Sequence, residues 1–519
     1  MLNHLLNRLK RLLFSFCLLL TNPLLADNFH GNVLDAVFLT LENEQAIAAS
    51  NQQIVSADGQ VLTGHSIFET TINTGISQQL NNTPGYIQFG QLYPGSSSNL
   101  SGFNLGVTQR LSYGLTINPV LSMNRLSENY VNQAAISVAN AAINFTLPLL
   151  QGWGTAVNTA PEVSAKMARE AATYNYSHVL TASITQTVVS YWNYLGAKKL
   201  LDVAKIAEER SKSLLTDAHK LVQGEIIPAS DILKYETKLA AAISDRIAAN
   251  QNLINARGLL LNAMNIFDDM EGNFTPPEES FPEPEQANLS LLNNPEKVAK
   301  LITETKDRRF DVIAANYSRQ SAEITATAAS LNNKSQLDLT VNVGYNSLAI
   351  GNSLAEPFLA FNNLPSGPTA GVSLNYVIPV TSSANRGLVL QTAAAFEQAK
   401  IQHAALSNSA TNNARVQINN LRTTIDELEQ ARKQVNFQTD VYRNEKRKYK
   451  AGLSTIIDLF TQESLLTTNQ QSLVVAQTDF SNALIQFRFY TGTLLTHDQD
   501  GQNLTLAELT TLSMPLKTR

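Results

Sequence analysis

Two aspartates that each follow a glycine are the chain's most regular candidates for chemistry. Asp231 comes seven residues after Gly224, and Asp458 comes six residues after Gly452. A helical pattern begins beside each aspartate, and a carboxylate at a helix start is stabilised by the helix dipole by about 0.3–1 kcal/mol. Several such carboxylates gathered around an axis would instead attract cations and repel anions. The spacing alone leaves both interpretations open.

No enzyme motif accompanies these acids in the sequence. HExxH and GxSxG, the patterns of zinc proteases and serine hydrolases, do not occur. Gly152 and Gly154 lack the GK[ST] ending of a phosphate-binding loop. Asp498-x-Asp500-Gly501 is too short for a calcium-binding loop. We therefore expect no enzyme, no cofactor and no metal site.

Composition places the chain among ordinary sequences with a mild acidic bias. Its 519 residues carry a net charge of −5, and 44% of them are hydrophobic. This balance excludes a disordered chain and a helical membrane protein, and it offers no basic surface for nucleic acid. After the N-terminal segment no apolar run approaches the about 18 residues of a membrane helix. Strands would therefore have to make any membrane crossing.

Residues 1–26 have the pattern of a secretory signal peptide. A basic segment, residues 8–11, precedes an apolar segment, residues 12–20, and Ala26 suits the cleavage site. The alternative is a membrane anchor, for which the apolar segment is short. The only cysteine, Cys17, would leave with the signal, so the mature chain would hold neither disulfides nor thiolate metal ligands.

The rest of the chain repeats one unit twice. The pattern Asn-[Phe/Tyr]-x-[Leu/Ile]-Pro ends a strand-like segment at residues 144–148 and again at residues 375–379. Each copy precedes a stretch nearly free of Gly and Pro, residues 156–222 and 385–450. At about 1.5 Å per residue each stretch predicts a helix roughly 100 Å long. A glycine turn and a second long helix follow in both halves, so the sequence predicts two internal repeats.

Alternation of polar and apolar residues marks the strands. It is clearest in residues 337–345 and 372–378, and it recurs around residues 101–111, 114–124 and 141–148. Each run is close to the roughly 9–11 residues that a tilted membrane strand needs. One polar and one apolar face suit a water-filled barrel in a membrane. The same pattern also suits a soluble sandwich with one wet face.

Both second helices carry a seven-residue repeat of apolar residues, which predicts coiled coils. The repeats are Leu233, Ala240, Ile247, Ile254 and Leu261 in the first half and Leu459, Leu466, Leu473, Phe480 and Phe487 in the second. One heptad could arise by chance, but a heptad that follows a Gly-Asp turn in both halves indicates a shared design.

These features predict the domain boundaries. Residues 81–98, rich in Pro, Gly and Ser, indicate a long exposed loop inside the first repeat. The polar C-terminal tail is expected to be loosely held. The predicted segments are a signal peptide (1–26), repeat 1 (27–266), a linker rich in proline and acids (267–294), repeat 2 (295–495) and the tail (496–519).

With these features the chain resembles the TolC family of outer-membrane channel proteins of Gram-negative bacteria. The resemblance extends over residues 33–495. Its specific parts are the sequence Gln-Gly-Trp-Gly at residues 151–154 and the pattern Tyr-x-x-Gly-x5-Asp at residues 449–458. The resemblance implies an α+β membrane protein, a homotrimer in which each protomer gives at least four strands to a shared transmembrane β-barrel. Long helices would continue as a coiled-coil tunnel in the periplasm.

The resemblance also implies a function and partners. The chain would be the outer-membrane exit duct of a tripartite efflux system, a passive conduit for small molecules. A periplasmic adaptor would link it to an inner-membrane pump that supplies the energy. Two alternatives stay open, the exit duct of a type I protein secretion system and, from another class, a soluble periplasmic coiled-coil scaffold.

By the same resemblance the narrow end of the tunnel would lie at Asp231, Tyr449 and Asp458. Two positions depart from the pattern, because Ser454 and Thr461 stand where some relatives place an arginine and a second aspartate. An arginine link at residue 454 is therefore not expected to hold this end closed.

The remaining site residues are turns and strand ends. Gly224 and Gly452 would end helices whose exposed tips meet the adaptor, and a glycine at a helix C-terminus suits such a reversal. The strand ends and the elbows that follow them would comprise Pro148, Gly152, Trp153 and Pro379. Trp153 suits the aromatic belt at a membrane surface.

Overall fold

The computed structural model describes most of the chain in two compact units. The described residues are 31–93, 95–128, 134–266, 279–285, 292, 294–353, 355–360, 366–495 and 504–512. The predicted signal peptide, Cys17 and most of the predicted linker lie outside them. We call residues 51–175 and 311–407 the sheet unit, and the described residues before 51, within 176–310 and after 407 the helical unit.

Two very long helices dominate the helical content, as the sequence predicted. They contain 64 and 68 residues. The helices are α1 Val33–Asn43, α2 Gln45–His65, α3 Thr155–Asn158, α4 Ala160–Gln223, α5 Ile232–Ala263, α6 Pro295–Arg308, α7 Phe310–Leu331, α8 Glu356–Leu359, α9 Ser383–Lys450, α10 Ile456–Thr491 and α11 Leu506–Thr510. Short 3₁₀ turns occupy Ser66–Phe68 and Ala229–Asp231. Of the helices described, none is both long and apolar enough to span a bilayer.

The sheet unit contains one six-stranded antiparallel sheet and a small hairpin. The strands are β1 Thr71–Thr83, β2 Tyr86–Gln88, β3 Gln91–Tyr93, β4 Ser96–Arg110, β5 Thr116–Glu128, β6 Ile136–Pro148, β7 Gln336–Ile350 and β8 Ser366–Val377. Their order in the sheet is β1-β4-β5-β6-β7-β8, and β2 pairs with β3 alone. The expectation of a long loop over residues 81–98 was wrong, because the β1–β4 ladder and this hairpin occupy most of it.

The register gives the sheet one apolar and one polar face. Residues paired across an antiparallel ladder lie on the same face. One such row runs Phe145–Val341–Val372, and a row on the opposite face runs Asn118–Asn144–Asn342. Ala360, directly after α8, packs on the apolar face against Met123, Ala139 and Ala349.

The two heptads have different surroundings in the helical unit. Leu459, Leu466, Phe480 and Phe487 of α10 are buried. The main core of this unit joins the last two of them to Leu421 and Leu428 of α9 and Leu301 of α6. Leu233, Ile247 and Ile254 of α5 are instead 65%, 57% and 54% exposed. The heptad of α10 is therefore part of the core of the helical unit, whereas the heptad of α5 is exposed at its surface.

The expectation of a loosely held tail was wrong for its described part. Leu504, Leu509 and Leu512 are buried. Arg488, in the last turn of α10, donates to the backbone oxygens of Glu508 and Thr511. The buried leucines and the bonds from Arg488 together dock residues 504–512 on the helical unit.

Candidate functional site

The turn between α9 and α10 and the turn between α4 and α5 share one hydrogen-bond pattern. The N–H of Leu453 donates to the Lys448 oxygen at 2.9 Å, and the N–H of Ile226 donates to the Leu221 oxygen at 2.9 Å. Both bonds span five residues, as in a Schellman motif, whose penultimate residue is left-handed. That residue is Gly452 in one turn, with φ 73°, and Glu225 in the other, with φ 58°.

Glu225, and not Gly224, is therefore the structural equivalent of Gly452. Gly224 is absent from the residues with positive φ among those described. Counting from the left-handed residue, Asp231 and Asp458 both come six residues later. The apparent difference in spacing between the two halves thus disappears. The sequence misled here because glycine is the usual left-handed residue, whereas this turn uses a glutamate.

The starts of α5 and α10 are also equivalent, but their caps differ. Pro228 and Thr455 both have extended backbone three residues before the aspartate. Thr455 forms a capping box with Asp458: its Oγ1 accepts from the Asp458 N–H at 3.2 Å, and its N–H donates to Asp458 Oδ2 at 3.3 Å. Pro228 has no hydroxyl, so Asp231 lacks such a cap. Asp231 Oδ1 instead lies 2.7 Å from Lys234 Nζ.

These contacts set the charge at Asp458. The Thr455 hydroxyl donates to Asp458 Oδ2 at 2.6 Å. This bond, and then the bond from the Thr455 N–H, holds the pKa of Asp458 below its ordinary value, and Lys448 lowers the pKa further. Asp458 is exposed. It therefore presents a carboxylate that stays ionised into acidic solution while it caps a helix.

Tyr449 joins the two helix pairs at their turns. Its Oη lies 3.2 Å from Tyr235 Oη. Tyr235 is buried among Leu214, Ala218 and Leu459. A cleft of about 820 Å³ opens beside Tyr449, lined by residues 217–227 of the first turn and 449–456 of the second. The structure thus brings Tyr449 and Gly452 to one cleft, together with residues on both sides of Gly224.

Ser454 and Thr461, the positions that depart from the family pattern, bond within their own helix pair. Ser454 donates to the Glu445 carboxylate. Thr461 Oγ1 donates to the Ile457 oxygen one helical turn earlier, at 2.9 Å. Neither side chain is recorded in a bond to α4 or α5 in the part of the chain that the structure describes.

A buried glutamate that was not predicted from the sequence links α10 to α4 and α5. Glu463 of α10 has a side chain only 1% exposed, with Lys238 Nζ of α5 at 3.2 Å and Arg210 Nε of α4 at 3.6 Å. Arg210 also donates to Thr467 and Gln470 of α10, both at 3.2 Å. The sequence did contain a signal for this residue, because Glu463 is a charged residue between two apolar heptad positions, Leu459 and Leu466. A buried charge requires such partners.

The strand-end elbow is organised by Asn158. Its Nδ2 donates to the oxygens of Gly152 and Gly154 at 2.7 and 2.9 Å, and its Oδ1 accepts from Arg110 at 2.6 Å. Gly152 has φ 85°, which favours glycine. Nothing in the sequence pattern singled out Asn158.

Pro148 and Pro379 lie at the ends of strands. Pro148 is the last residue of β6, and Pro379 lies two residues after the end of β8. Trp153 is half exposed and packs edge-to-face on Tyr113, with ring centroids 6.4 Å apart. The pair forms an aromatic corner at the end of the sheet next to the helices.

Asparagine side chains bond to one another across the polar face of the sheet. Asn342 Nδ2 donates to Asn144 Oδ1 at 2.6 Å, and Asn144 Nδ2 lies 3.4 Å from Asn118 Oδ1. Asn140 and Asn346 make a similar bond two rows away on the same face. Among the described residues, no cluster of three or more His, Cys, Asp or Glu side chains could hold a metal. The face offers neutral polar groups to water.

Residues 301–493 match the family model described as outer membrane efflux protein. No curated protein sequence matches the chain. Among solved structures, the outer membrane protein VceC of Vibrio cholerae is 13% identical, covers 88% of this chain and 96% of its own, and has a TM-score of 0.64. The CmeC outer membrane channel of Campylobacter jejuni is 13% identical, with 92% and 90% covered and a TM-score of 0.63.

The open state of the MtrE outer membrane channel of Neisseria gonorrhoeae is 14% identical, with 89% of each chain covered and a TM-score of 0.60. At such low identity these structures establish a shared fold. The chain has the fold of these outer membrane channels, and the match of residues 301–493 to the outer membrane efflux protein model confirms the predicted resemblance to TolC-family proteins.

Proposed function

We propose that the protein is the exit channel of a tripartite efflux system in the outer membrane. It conducts small molecules passively, while an inner-membrane pump, coupled through a periplasmic adaptor, supplies the energy. The observation that carries this proposal is the six-stranded sheet with one apolar and one asparagine-rich face. Such a sheet suits a wall between lipid and water.

The channel is a homotrimer. The sheet of one chain has two open edges, and open edges are not tolerated in lipid, so further copies must close it. The exposed heptad of α5 supports the same arrangement, because Leu233, Ile247 and Ile254 are each more than half exposed. Such a stripe packs against a helix of a neighbouring copy in a coiled-coil wall.

Asp231, Tyr449 and Asp458 form the constriction at the periplasmic end. Around a three-fold axis the ionised Asp458 side chains create a ring that favours cations. Opening requires α9 and α10 to move away from α4 and α5. The contacts that resist this movement are the Tyr235–Tyr449 pair and the buried Glu463 cluster.

The two turns, with Gly224 and Gly452, contact the adaptor. Their shared cleft offers apolar side chains, including Ile226, Ile227 and Ile456, between charged ones. At the other functional boundary, Pro148, Gly152 and Pro379 place the elbows at the membrane surface, and Trp153 with Tyr113 supplies the aromatic belt.

The proposal is tested on the assembled protein. Outer-membrane fractions should contain a trimer that dissociates on heating. The double variant Ile247→Asn, Ile254→Asn should lose the trimer while its monomer keeps helical circular dichroism, because both side chains are exposed in the single chain. The matched variant Leu466→Asn should instead unfold the chain, because Leu466 is buried. Recovery of the protein as a soluble periplasmic monomer would refute the proposal.

A further inference from the structure

The sheet contains six strands, two more than the minimum of four that the family resemblance implies for each protomer. The additional pair is β1 with β4. It is not a separate hairpin, because β4 also pairs with β5, from Ser98–Glu128 to Arg110–Thr116. This pairing is antiparallel, like the pairing of the other neighbouring strands. All six strands are 12 to 15 residues long. Each therefore exceeds the roughly 9–11 residues that cross a bilayer.

The apolar face continues onto the additional strands, where Thr74 and Gln78 of β1 also lie on it. Ile76 of β1 pairs with Phe103 of β4, which pairs with Met123 of β5. Ile72 pairs with Val107. Ile72 and Ile76 are 70% and 87% exposed in the single chain. Lipid contact would remove this apolar surface from water, which is favourable.

The polar face continues in the same way. Gly75 of β1 pairs with Asn104 of β4, which pairs with Ser122 of β5, and the row goes on to Asn140 and Asn346. The Asn104 side chain lies over Gly75, because a Cβ added to Gly75 would meet Asn104 Oδ1 at 2.5 Å. The alternation of β1 and β4 thus continues that of β5 to β8.

The two open edges are complementary. Among the described strands, β1 and β8 each pair with only one neighbour in the sheet. Six strands alternate in direction, so β1 runs opposite to β8. The β8 edge of one copy can therefore pair in antiparallel fashion with the β1 edge of the next, and pairing removes the unsatisfied backbone groups that lipid does not tolerate.

We propose that three copies of this chain close into a barrel of eighteen strands, six from each, through β8–β1 pairing between neighbours. The inference rests on the proposed outer-membrane channel. Barrel diameter grows roughly linearly with strand number, so this barrel is about one and a half times as wide as one of twelve strands. Barrels of about 16–18 strands leave an open aqueous channel.

Single cysteines test whether β1 lies in the barrel wall. The background is the Cys17→Ser chain, which contains no other cysteine. Ile72→Cys and Ile76→Cys report the apolar face of β1, and Asn73→Cys and Ser77→Cys report its polar face. Leu374→Cys and Ser373→Cys are the matched pair on β8. The purified protein is reconstituted in phosphatidylcholine vesicles and treated with a water-soluble maleimide.

We expect β1 to behave like β8. Asn73→Cys and Ser77→Cys should react at least tenfold faster than Ile72→Cys and Ile76→Cys. An environment-sensitive fluorophore at residue 76 should be quenched by brominated lipid as strongly as one at residue 374. Equal, fast reaction at residues 72, 73, 76 and 77 would show that the β1–β4 pair projects into water and would overturn the proposal.

Crosslinking gives an independent test of the neighbour across the interface. Oxidation of the double variants Ser77→Cys, Ser373→Cys and Ser77→Cys, Gly371→Cys should yield covalent trimers. The matched variant Ser122→Cys, Ser373→Cys places one cysteine on β5 and should remain monomeric on a denaturing gel. Trimers from the β5 variant alone would overturn the count of eighteen while leaving the channel intact. Failure of every variant to enter the membrane would refute the proposed function itself.

Discussion

Tyr449 Oη lies 3.2 Å from Tyr235 Oη, which joins residues from the two halves of the chain beside their helix turns. Burial raises the pKa of Tyr235 well above the ordinary value, so its hydroxyl stays neutral and can share a hydrogen bond with Tyr449. Asp231 and Asp458 have no part in this contact. The turns are therefore held together by a neutral pair and an apolar core, and the acids remain available to solvent.

The left-handed residues of the two turns lead to a first prediction. Glu225→Gly should stabilise the protein and Gly452→Ala should destabilise it, each by about 1 kcal/mol, because a side chain in the left-handed region costs about 1–2 kcal/mol. Chemical denaturation followed by circular dichroism measures both. Gly224→Ala is the control and should have little effect, since Gly224 has no positive φ. A cost at Gly224 equal to that at Gly452 would contradict the equivalence of Glu225 and Gly452.

The capping box of α10 leads to a prediction on pH dependence. Asp458→Asn should weaken cation preference at neutral pH. Thr455→Ala should keep the preference there but lose it at a higher pH than the wild type, because the Thr455 bonds hold the pKa of Asp458 down. A carboxyl group whose pKa is lowered in the folded state stabilises the protein at pH values above the ordinary carboxyl pKa of about 4. This contribution is lost as the pH falls through the folded-state pKa.

Reversal potentials in a salt gradient, measured from neutral to acidic pH, check this prediction. Thr461→Ala is the matched control, because the Thr461 hydroxyl donates to the backbone oxygen of Ile457 in its own helix. If the wild type and Thr455→Ala lost their cation preference at the same pH, the Thr455 bonds would not control the charge of Asp458. Unchanged selectivity in Asp458→Asn would remove the carboxylate ring.

Periodicity was sufficient to predict much of the fold, but it could not assign burial. The long helices and the alternating strands follow from patterns that repeat over many residues. The two heptads are alike in sequence, yet Leu459 is buried and Leu233 is exposed. Burial depends on what each helix packs against, and one chain contains only part of the proposed wall.

Local side-chain contacts were harder to foresee. The sequence predicts that Gly224 is the left-handed residue, because glycine usually takes that conformation at the end of a helix. Nothing in the local sequence indicates that Glu225 takes it instead. Thr455 and Asp458, by contrast, have the spacing of a capping box, and this signal was available. The partners of Glu463 lie more than two hundred residues away in the chain, so no local pattern could connect them.

The buried Glu463 cluster leads to a third prediction. Glu463→Gln should destabilise the protein by about 1–3 kcal/mol, because Arg210 and Lys238 would lose their carboxylate. The cost stays below the about 3–5 kcal/mol of a fully buried pair, since both cations are partly exposed. Glu429→Gln removes an exposed pair with Lys433 and should have no measurable effect on the free energy of unfolding. Equal effects of the two substitutions would show that Glu463 does not hold the helices together.

The docked tail leads to a fourth prediction. Burial lowers the pKa of Arg488 to about 10, so the side chain is still charged at neutral pH. It donates to the oxygens of Thr493 at 2.9 Å and Thr511 at 3.1 Å. Arg488→Met should release residues 504–512, and a glutamate-specific protease should then cleave at Glu508 about tenfold faster or more, as expected for a loss of at least about 1.4 kcal/mol.

Arg443→Met is the control for the tail. Arg443 is exposed and pairs with Asp440 within one helix, so its loss should leave the cleavage rate at Glu508 unchanged. Cleavage in Arg488→Met at the wild-type rate would mean that the buried leucines alone dock the tail.

Current through a planar lipid bilayer tests the central claim most directly. The purified protein, added to one side, should insert and give stable steps of ohmic conductance, with cation preference that depends on Asp458. Heat-dissociated monomers from the same preparation should give none. The same measurement on Glu463→Gln examines a protein in which the contacts of α10 with α4 and α5 are weakened. If neither the wild type nor Glu463→Gln conducted ions as a lipid-inserted trimer, the protein would not be a water-filled exit channel.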